Sequence, residues 1–342
     1  MDDVLTDVPA SDAPDSEAAA STSPDLTRIH VPVMRDRIIE LLAPALAAPG
    51  SVHVDGTTGM GGHVEAVLEA CPQAQVIAID RDPAALDIAS RRLARFGDRV
   101  TFVEAVYDEL PEVLAELGIA EVNSVLLDLG LSSLQIDQRE RGFAYSVDAP
   151  LDMRMDGKQE LTAATIVNTY DRRLLARILR IYGEERFADR VAARIVEARE
   201  VEPFTTSARL VDVVASGIPM ATRKTGGHPA KRTFQALRIE VNAELEALEG
   251  VLPAAMDALA VGGRMAVLAY HSLEDRMVKN LFREGATDKA PRNLPVVPEG
   301  MRAELMLLTR GAEKPGADEV LTNPRAASAR LRVAERVRRA TA

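Results

Sequence analysis

The sequence has no tryptophan and only one cysteine, Cys71. One thiol cannot close a disulfide within the chain or build a cysteine metal site, and the lack of disulfides fits a reducing, cytoplasmic setting. None of the five histidines, His30, His53, His63, His228 and His271, has the spacing of a zinc motif, so no metal is expected. No run of about eighteen apolar residues occurs, which excludes a membrane-spanning helix. The N-terminus lacks the basic patch and apolar run of a secretory signal. Aromatic residues make up only 4% of the chain, so a core must be built from Leu, Val, Ile and Ala. With 47% apolar residues in 342, a sizeable core is available, enough for one large α/β domain or one with a second domain inserted.

Basic residues are missing from the first 27 positions, which carry seven acids: Asp2, Asp3, Asp7, Asp12, Asp15, Glu17 and Asp25. This stretch, 1–27, is rich in Ala, Ser, Pro and Thr and reads as a disordered acidic tail. Without those seven acids the net charge of −11 becomes −4. At the other end, 325–339 carries six Arg against one Glu. Local patches, not total charge, therefore decide whether a polyanion can bind.

From residue 28 onward the chain alternates. Residues 32–47 have helical spacing, 51–55 form a short strand running into glycines, and 63–70 a helix. Residues 75–80 (QVIAID) form an apolar strand ending in an acid, 83–96 a helix with Pro83 in its first turn, and 100–104 a strand. Residues 107–117 are helical, and 122–128 (VNSVLLD) form a strand apolar enough to be covered on both faces. This rhythm predicts a doubly wound sheet with its ligand at the carboxyl ends of the strands. The rhythm breaks after Gly130. Residues 163–214 are almost all helical in pattern and rich in Arg. A single helix over 233–259, a strand at 264–270, a helix at 273–283 and two last strands at 304–309 and 329–334 follow. The expected division is a first sheet segment 28–139, an inserted helical domain 140–232 and a second sheet segment 233–342.

The first strand runs into Asp55-Gly56-Thr57-Thr58-Gly59-Met60-Gly61-Gly62-His63. Glycines let the backbone turn sharply and approach a ligand, and the helix that follows offers free N–H groups. Asp80 closes the second strand, where an acid typically accepts ribose hydroxyls; its competing role is an exposed acid paired with Arg81. The spacing is not the dinucleotide G-x-G-x-x-G. Asp55 at the head of the loop suits a cofactor with a cationic amino group better than one with a pyrophosphate, which favours S-adenosylmethionine over a nicotinamide. Tyr107, after the third strand, could cover an adenine or could be a core aromatic. The fourth strand ends in Asp128-Leu129-Gly130-Leu131-Ser132-Ser133, with Gln135 beyond. An acid and two hydroxyls there could hold a substrate amine.

These motifs resemble those of the small-subunit ribosomal RNA cytosine-N4 methyltransferase family (RsmH, also called MraW). The matching stretches are DGTTGMGGH (55–63), AIDRDP (78–83), LLDLGLSS (126–133), RGFAYSVDAPLDMRMD (141–156), YGEERFADRVA (182–192), HPAKRTFQALRIEVNAEL (228–245), YHSLEDRMVK (270–279) and NPRAASARLRVAER (323–336). Together they span about 29–336. The resemblance implies a Rossmann-like class I methyltransferase sheet with an inserted all-helical domain. It also implies S-adenosylmethionine as cofactor and N4 methylation of a cytidine in the decoding region (P site) of 16S ribosomal RNA, with the small subunit as partner. Carried over position by position, the cofactor contacts fall on Gly61, Gly62, His63, Asp80, Tyr107, Asp128 and Gln135; Tyr107 replaces the Phe of some relatives and keeps the ring. A homodimer is compatible with the resemblance, though no residue pattern specifies one.

One departure from the wider class matters. Many amino-methyltransferases carry Asp/Asn-Pro-Pro-aromatic at the fourth strand, where this chain has Asp-Leu-Gly-Leu-Ser-Ser, so catalytic roles do not transfer by position. From the chemistry, Asp128, with Ser132 or a backbone carbonyl, is the candidate to accept a proton from the poorly nucleophilic cytosine amine; a purely cofactor-binding role for Asp128 stands beside it. Candidates to hold RNA are Arg172, Arg173, Arg177, Arg180, Arg186, Arg190 and Arg194 of the insert, the basic segment 223–232, and the C-terminal Arg cluster; each could instead be a solvated face. The tract Asp152-Met153-Arg154-Met155-Asp156 is either a surface turn or part of a base pocket. His271 is expected to be a structural hydrogen-bonder more than a catalyst.

Overall fold

A computed structural model describes residues 31–223, 228–291 and 296–339. The acidic stretch 1–27 and residues 224–227 of the basic segment lie outside the described residues. In chain order, helix α1 (Arg35–Leu42) leads into β1 (Val52–Asp55), α2 (Gly62–Ala70), β2 (Gln75–Asp80), α3 (Pro83–Leu93), β3 (Val100–Glu104), α4 (Leu110–Glu116) and β4 (Val122–Asp128). Then come α5 (Ser133–Asp137), α6 (Ala163–Thr169), α7 (Arg172–Ile181), α8 (Ala188–Val201), α9 (Ser207–Gly217), α10 (Met220–Arg223), α11 (Lys231–Asn242) and α12 (Glu244–Ala258). The chain ends with β5 (Leu259–Ala269), α13 (Ser272–Gly285), β6 (Leu305–Leu307), α14 (Ala317–Thr322) and β7 (Arg330–Arg336). Among the described residues no helix is long and apolar enough to cross a membrane.

The seven strands form one sheet in the order β3-β2-β1-β4-β5-β7-β6. The first five run parallel, and β7 is antiparallel to both β5 and β6. This is the Rossmann-like, doubly wound sheet expected from the alternation of strands and helices, with one antiparallel strand, β7, inserted between β5 and β6. Alternation along each strand supplies both faces. On one face Val125 and Leu127 of β4 pack with Ile77, Ile79 and Val267 under α4, α12 and α13. On the other, Leu126 packs with Leu268, Leu331 and Val333 against Ile38, Leu41 and Leu42 of α1. Strand order reverses between β1 and β4, so crossovers leave in opposite directions and a crevice opens at the carboxyl ends of those two strands.

Between β4 and β5 lies an all-helical layer with its own core. Ile166, Leu175, Leu179, Val191, Ile195, Phe204, Leu210 and Val214 bury against Phe234 and Leu237 of α11. Helix α7 shows why: its apolar residues repeat at helical spacing, and Asp171 caps its first turn by accepting from Leu174 N–H at 2.8 Å.

The single helix expected over 233–259 is broken in two. Ala243 stands between α11 and α12 with φ +50°. The break frees the Asn242 carbonyl to accept from Arg81 Nη1 at 2.9 Å and turns the Asn242 amide onto Met153 O and Met155 N–H, both at 2.8 Å. Just before it, Arg238 forks onto Glu244 with two 2.8 Å contacts and lies 4.0 Å from Glu274 of α13. Its side chain is 15% exposed and that of Glu244 9%. A buried pair of this kind is costly to break on one side only, because a charge is stranded. Arg238→Met is therefore expected to destabilise the protein by about 3–5 kcal/mol, seen as a lower urea midpoint with far-UV circular dichroism retained below it.

Candidate active site

The glycine turn is stitched by three hydrogen bonds to the ends of the two neighbouring strands, β2 and β4. Gly56 N–H donates to Leu126 O at 3.0 Å, Thr58 N–H to Ile79 O at 3.0 Å, and Asp128 N–H to Thr57 Oγ1 at 2.7 Å. Gly61 begins α2 at φ +79°, in the left-handed region, and Glu65 N–H makes the helix's first internal bond, to Gly61 O. The glycines at 61 and 62 serve packing more than ligand approach. A Cβ at Gly61 would lie 3.0 Å from Leu93, and one at Gly62 would lie 2.5 Å from Pro32. What this corner offers a ligand is the set of N–H groups at the start of α2, ahead of its internal bonding.

Three acids converge on this turn, each held differently. Asp55 is 1% exposed and accepts from Thr57 N–H at 3.0 Å; burial pushes its carboxyl up to about 7, against the pull of nearby His63. Asp80 accepts from Gly59 N–H at 2.7 Å and from Asp82 N–H at 2.9 Å, and burial raises it as well. Arg81 gives its guanidinium to Asn242 O, so the simple Asp80–Arg81 pair is not formed. Asp128 lies with Oδ2 3.4 Å from His63 Nε2 and Oδ1 3.4 Å from Gly130 N. The His63 contact is an ion-pair distance with poor hydrogen-bond alignment, and among the described residues both ring nitrogens of this buried imidazole lack a hydrogen-bond partner. Beneath it, fully buried His53 shares a 2.7 Å contact with Ser124 Oγ; burial depresses it to about 3, so it is neutral.

Tyr107 approaches the turn from the β3 side. A Cβ at Gly56 would meet the Tyr107 Cβ at 3.2 Å, and the Tyr107 hydroxyl donates to Glu244 O at 3.1 Å. Ser132 and Gln135 form a reciprocal cap: Gln135 N–H donates to Ser132 Oγ at 3.2 Å and Ser132 N–H to Gln135 Oε1 at 3.1 Å. The Ser132 hydroxyl keeps its proton to donate. Its Cβ lies 3.8 Å from where a Cβ on Gly59 would stand. The structure thus gathers Gly61, Gly62, His63, Asp80, Tyr107, Asp128, Ser132 and Gln135 around one crevice.

Sequence reasoning missed Arg141. Its guanidinium forks onto Asp82, 2.5 Å to Oδ2 and 3.3 Å to Oδ1, and Asp82 is the N-cap of α3, accepting from Ala84 N–H. Arg141 O also accepts from Met153 N–H at 2.9 Å. The 152–156 tract is therefore no loose surface turn. Met153 is buried at φ +63°, Arg154 clamps Asp152, and Asn242 bridges Met153 and Met155. In sequence an acid directly before Pro83 has the ordinary look of a helix start, which gives no sign of a second partner.

The basic candidates divide. Arg172, Arg173, Arg177, Arg180, Arg186, Arg190 and Arg194 are all exposed on α7, α8 and the turn between them, with Arg180 paired to Asp189 and Arg194 to Glu197. Four arginines of the C-terminal cluster make contacts within the fold. Arg332 pairs with Asp275, Arg336 donates to the carbonyls of Met256, Asp257 and Leu259, Arg338 to those of Gly300 and Arg302, and Arg339 pairs with Glu121. His271 caps α13 within a ring–carboxylate contact of 2.9 Å to Glu274, a structural role.

The sequence model of the MraW methylase family matches residues 27–337. A "Ribosomal RNA small subunit methyltransferase H" from Cutibacterium acnes is 60% identical over 311 residues, 91% of this chain and 92% of that protein. One of the same name from Frankia alni is 61% identical over 309 residues, 90% of this chain and 95% of its own. A third, from Thermobifida fusca, is 58% identical over 327 residues, 96% and 98% of the two chains.

Asp55 generates a pH test. Its folded value of about 7 lies above the ordinary 3.8, so the folded state keeps this proton longer than the unfolded one. Its contribution to stability is full at low pH and is lost as pH rises from 3.8 to about 7. Asn cannot ionise. The Tm of ligand-free Asp55→Asn minus that of the unsubstituted protein is expected to grow more positive across this window and then level off, as read by thermal melts.

Proposed function

Since the chain belongs to the MraW methylase family, we propose that it methylates the exocyclic N4 amine of a cytidine in the decoding region (P site) of 16S ribosomal RNA. The protein is an S-adenosylmethionine-dependent methyltransferase. The observation that carries the finer reading is the convergence of Asp55, Asp80 and Asp128 on one glycine turn beside a buried, unpartnered imidazole, His63. Three clustered acids, of which Asp55 and Asp80 are held by backbone N–H groups, suit a cofactor that bears a sulfonium and an ammonium, and the free ring nitrogens of His63 suit a polar ligand.

In this reading Gly62 and His63 would offer the first N–H groups of α2, Gly61, whose own N–H donates to Thr58 O, would shape the turn against the cofactor, Asp80 would take ribose hydroxyls, Tyr107 would cover the adenine, and Asp128 and Gln135 would close the pocket from β4 and α5. When bound, S-adenosylmethionine supplies an electrophilic methyl on a good leaving group. The chain is left two tasks, alignment and proton removal. The cytosine amine is a poor nucleophile because its lone pair is delocalised into the ring. Asp128 accepts the proton that the amine loses, and Ser132 orients the amine. Positioned general-base assistance is worth roughly 10²–10⁴-fold.

The target base must stand outside its stack to reach Asp128. The helical layer, within the division 28–139, 140–232 and 233–342, holds the surrounding RNA through the exposed Arg side chains of α7 and α8, which contact phosphates without reading sequence. Acids interleaved with these Arg side chains, Asp189 on Arg180 and Glu197 on Arg194, make naked RNA a weak ligand, so the assembled small subunit in the cytoplasm is the expected substrate.

Transfer of a radiolabelled methyl group to undermethylated small subunits, followed by nucleoside analysis, tests the reading. Label in N4-methylcytidine supports it, and label in any other nucleoside overturns it. Asp128→Asn is expected to bind S-adenosylhomocysteine within a few-fold of the parent in calorimetry and to lose roughly 10²–10⁴-fold in kcat. Full turnover with normal cofactor binding would remove Asp128 as the base.

A further inference from the structure

We propose that Arg141 is a positioning residue for Asp80: by gripping the buried Asp82 carboxylate it fixes the turn whose N–H aims Asp80 at the cofactor, so that the helical layer completes the cofactor site. This deepens the reading of Asp80 as the acceptor of ribose hydroxyls and rests on it.

Asp80 closes β2, and each of its carboxylate oxygens takes one backbone donor. Oδ2 accepts from Gly59 N–H at 2.7 Å and Oδ1 from Asp82 N–H at 2.9 Å. A carboxylate has about four acceptor sites, so lone pairs remain for a ligand's hydroxyls, and the two N–H groups set their direction. Gly59 belongs to the turn after β1. Asp82 lies in the turn 80–82, where its N–H can hold Asp80 only while its own side chain stays in place. That side chain is 2% exposed and accepts from Ala84 N–H at 3.1 Å. A single N–H does not neutralise a buried anion. An unpaired carboxylate there would be driven toward water and would take the turn with it. Arg141 prevents this by placing Nη1 2.5 Å from Oδ2 and Nη2 3.3 Å from Oδ1.

The guanidinium is delivered by the loop between α5 and α6. Gly142 follows Arg141 at φ +73°, and a Cβ there would lie 2.0 Å from Pro150 O, so only glycine lets the loop close on itself at this point. Arg141 O accepts from Met153 N–H at 2.9 Å, and Arg141 Nη1 reaches Met155 O at 3.4 Å. The Asn242 side chain holds Met153 O and Met155 N–H in turn, while the Asn242 carbonyl accepts from Arg81. The turn 80–82 is thus gripped at two successive residues, Arg81 and Asp82, by partners that the 152–156 tract ties together. Lysine in place of Arg141 would keep the charge, but its ammonium is a point donor and does not match the two oxygens of Asp82 as the planar fork does.

Arg141→Lys is the deciding variant, because it strands no charge and should keep Tm within a few degrees of the parent. In calorimetry it should bind S-adenosylhomocysteine roughly 10-fold more weakly, the scale of one charge-assisted hydrogen bond. On small subunits the loss should appear in KM for S-adenosylmethionine and not in kcat. A double-mutant cycle separates positioning from general loosening of the fold. Asp80→Asn should itself weaken S-adenosylhomocysteine binding. In that background Arg141→Lys should cost no more than about 2-fold, because the group it positions is already altered. An affinity within about 2-fold of the parent for Arg141→Lys alone, or an equal loss in both backgrounds, would overturn the positioning role. Unchanged affinity in Asp80→Asn itself would instead overturn the reading of Asp80 as the cofactor's acceptor.

Discussion

The hydrogen bond from Asp128 N–H to Thr57 Oγ1, at 2.7 Å, joins the glycine turn after β1 to the end of β4. It sits where strand order reverses, the point in a doubly wound sheet where crossovers diverge and a crevice opens. Everything that follows either strand is referred to this junction. Gly59 N–H reaches across to Asp80 at the end of β2, and Ser132 is brought beside the same turn by the chain leaving β4. The acids end up close together because β1 runs parallel between β2 and β4: Asp55 pairs with Ala78 and Leu126, Asp80 and Asp128 each stand two residues beyond those partners, and the glycine turn leaving β1 passes between them.

Concentrating buried carboxylates in this way has an electrostatic cost, which the structure offsets locally. Asp80 is held by two backbone N–H groups, and Asp128 has Gly130 N–H and the His63 ring nearby, each at 3.4 Å. Asp55, with one backbone donor and full burial, is left most strained toward its neutral form. A cationic ligand relieves that repulsion, so the same arrangement that disfavours the empty charged site favours a sulfonium cofactor.

The helical layer is tied to this site by polar side chains more than by apolar packing. Arg141 grips Asp82, whose N–H holds Asp80, and Asn242 binds the 152–156 tract while its carbonyl takes Arg81. Arg238 joins α11 to Glu244 and faces Glu274, which carries the root of Tyr270. Two hydrogen-bonded chains thus run from the helical layer to the two ends of the reacting crevice, one toward Asp80 and one toward Tyr270.

The order of elements was legible in the sequence because it depends on local pattern. Strands at 75–80, 100–104 and 122–128 appear at those residues, since an apolar run bounded by turn residues has few other outcomes. The acids at strand ends and the glycine turn were legible for the same reason, as was the family through its long motifs. The break at Ala243 was not, because its cause is the side chain of Asn242 meeting residues 87 and 89 positions away. Nor was the fate of the C-terminal arginines: a run of Arg looks alike whether it faces a polyanion or caps the carbonyls at the end of α12. The same holds for Tyr270, which in sequence is one more aromatic closing a strand and in the fold lies across Gly130 beside the end of β4. Local patterning determined the elements and the chemistry carried at their ends. Strand order and register decided which of those groups meet, because only the folded sheet brings distant strand ends within hydrogen-bond reach.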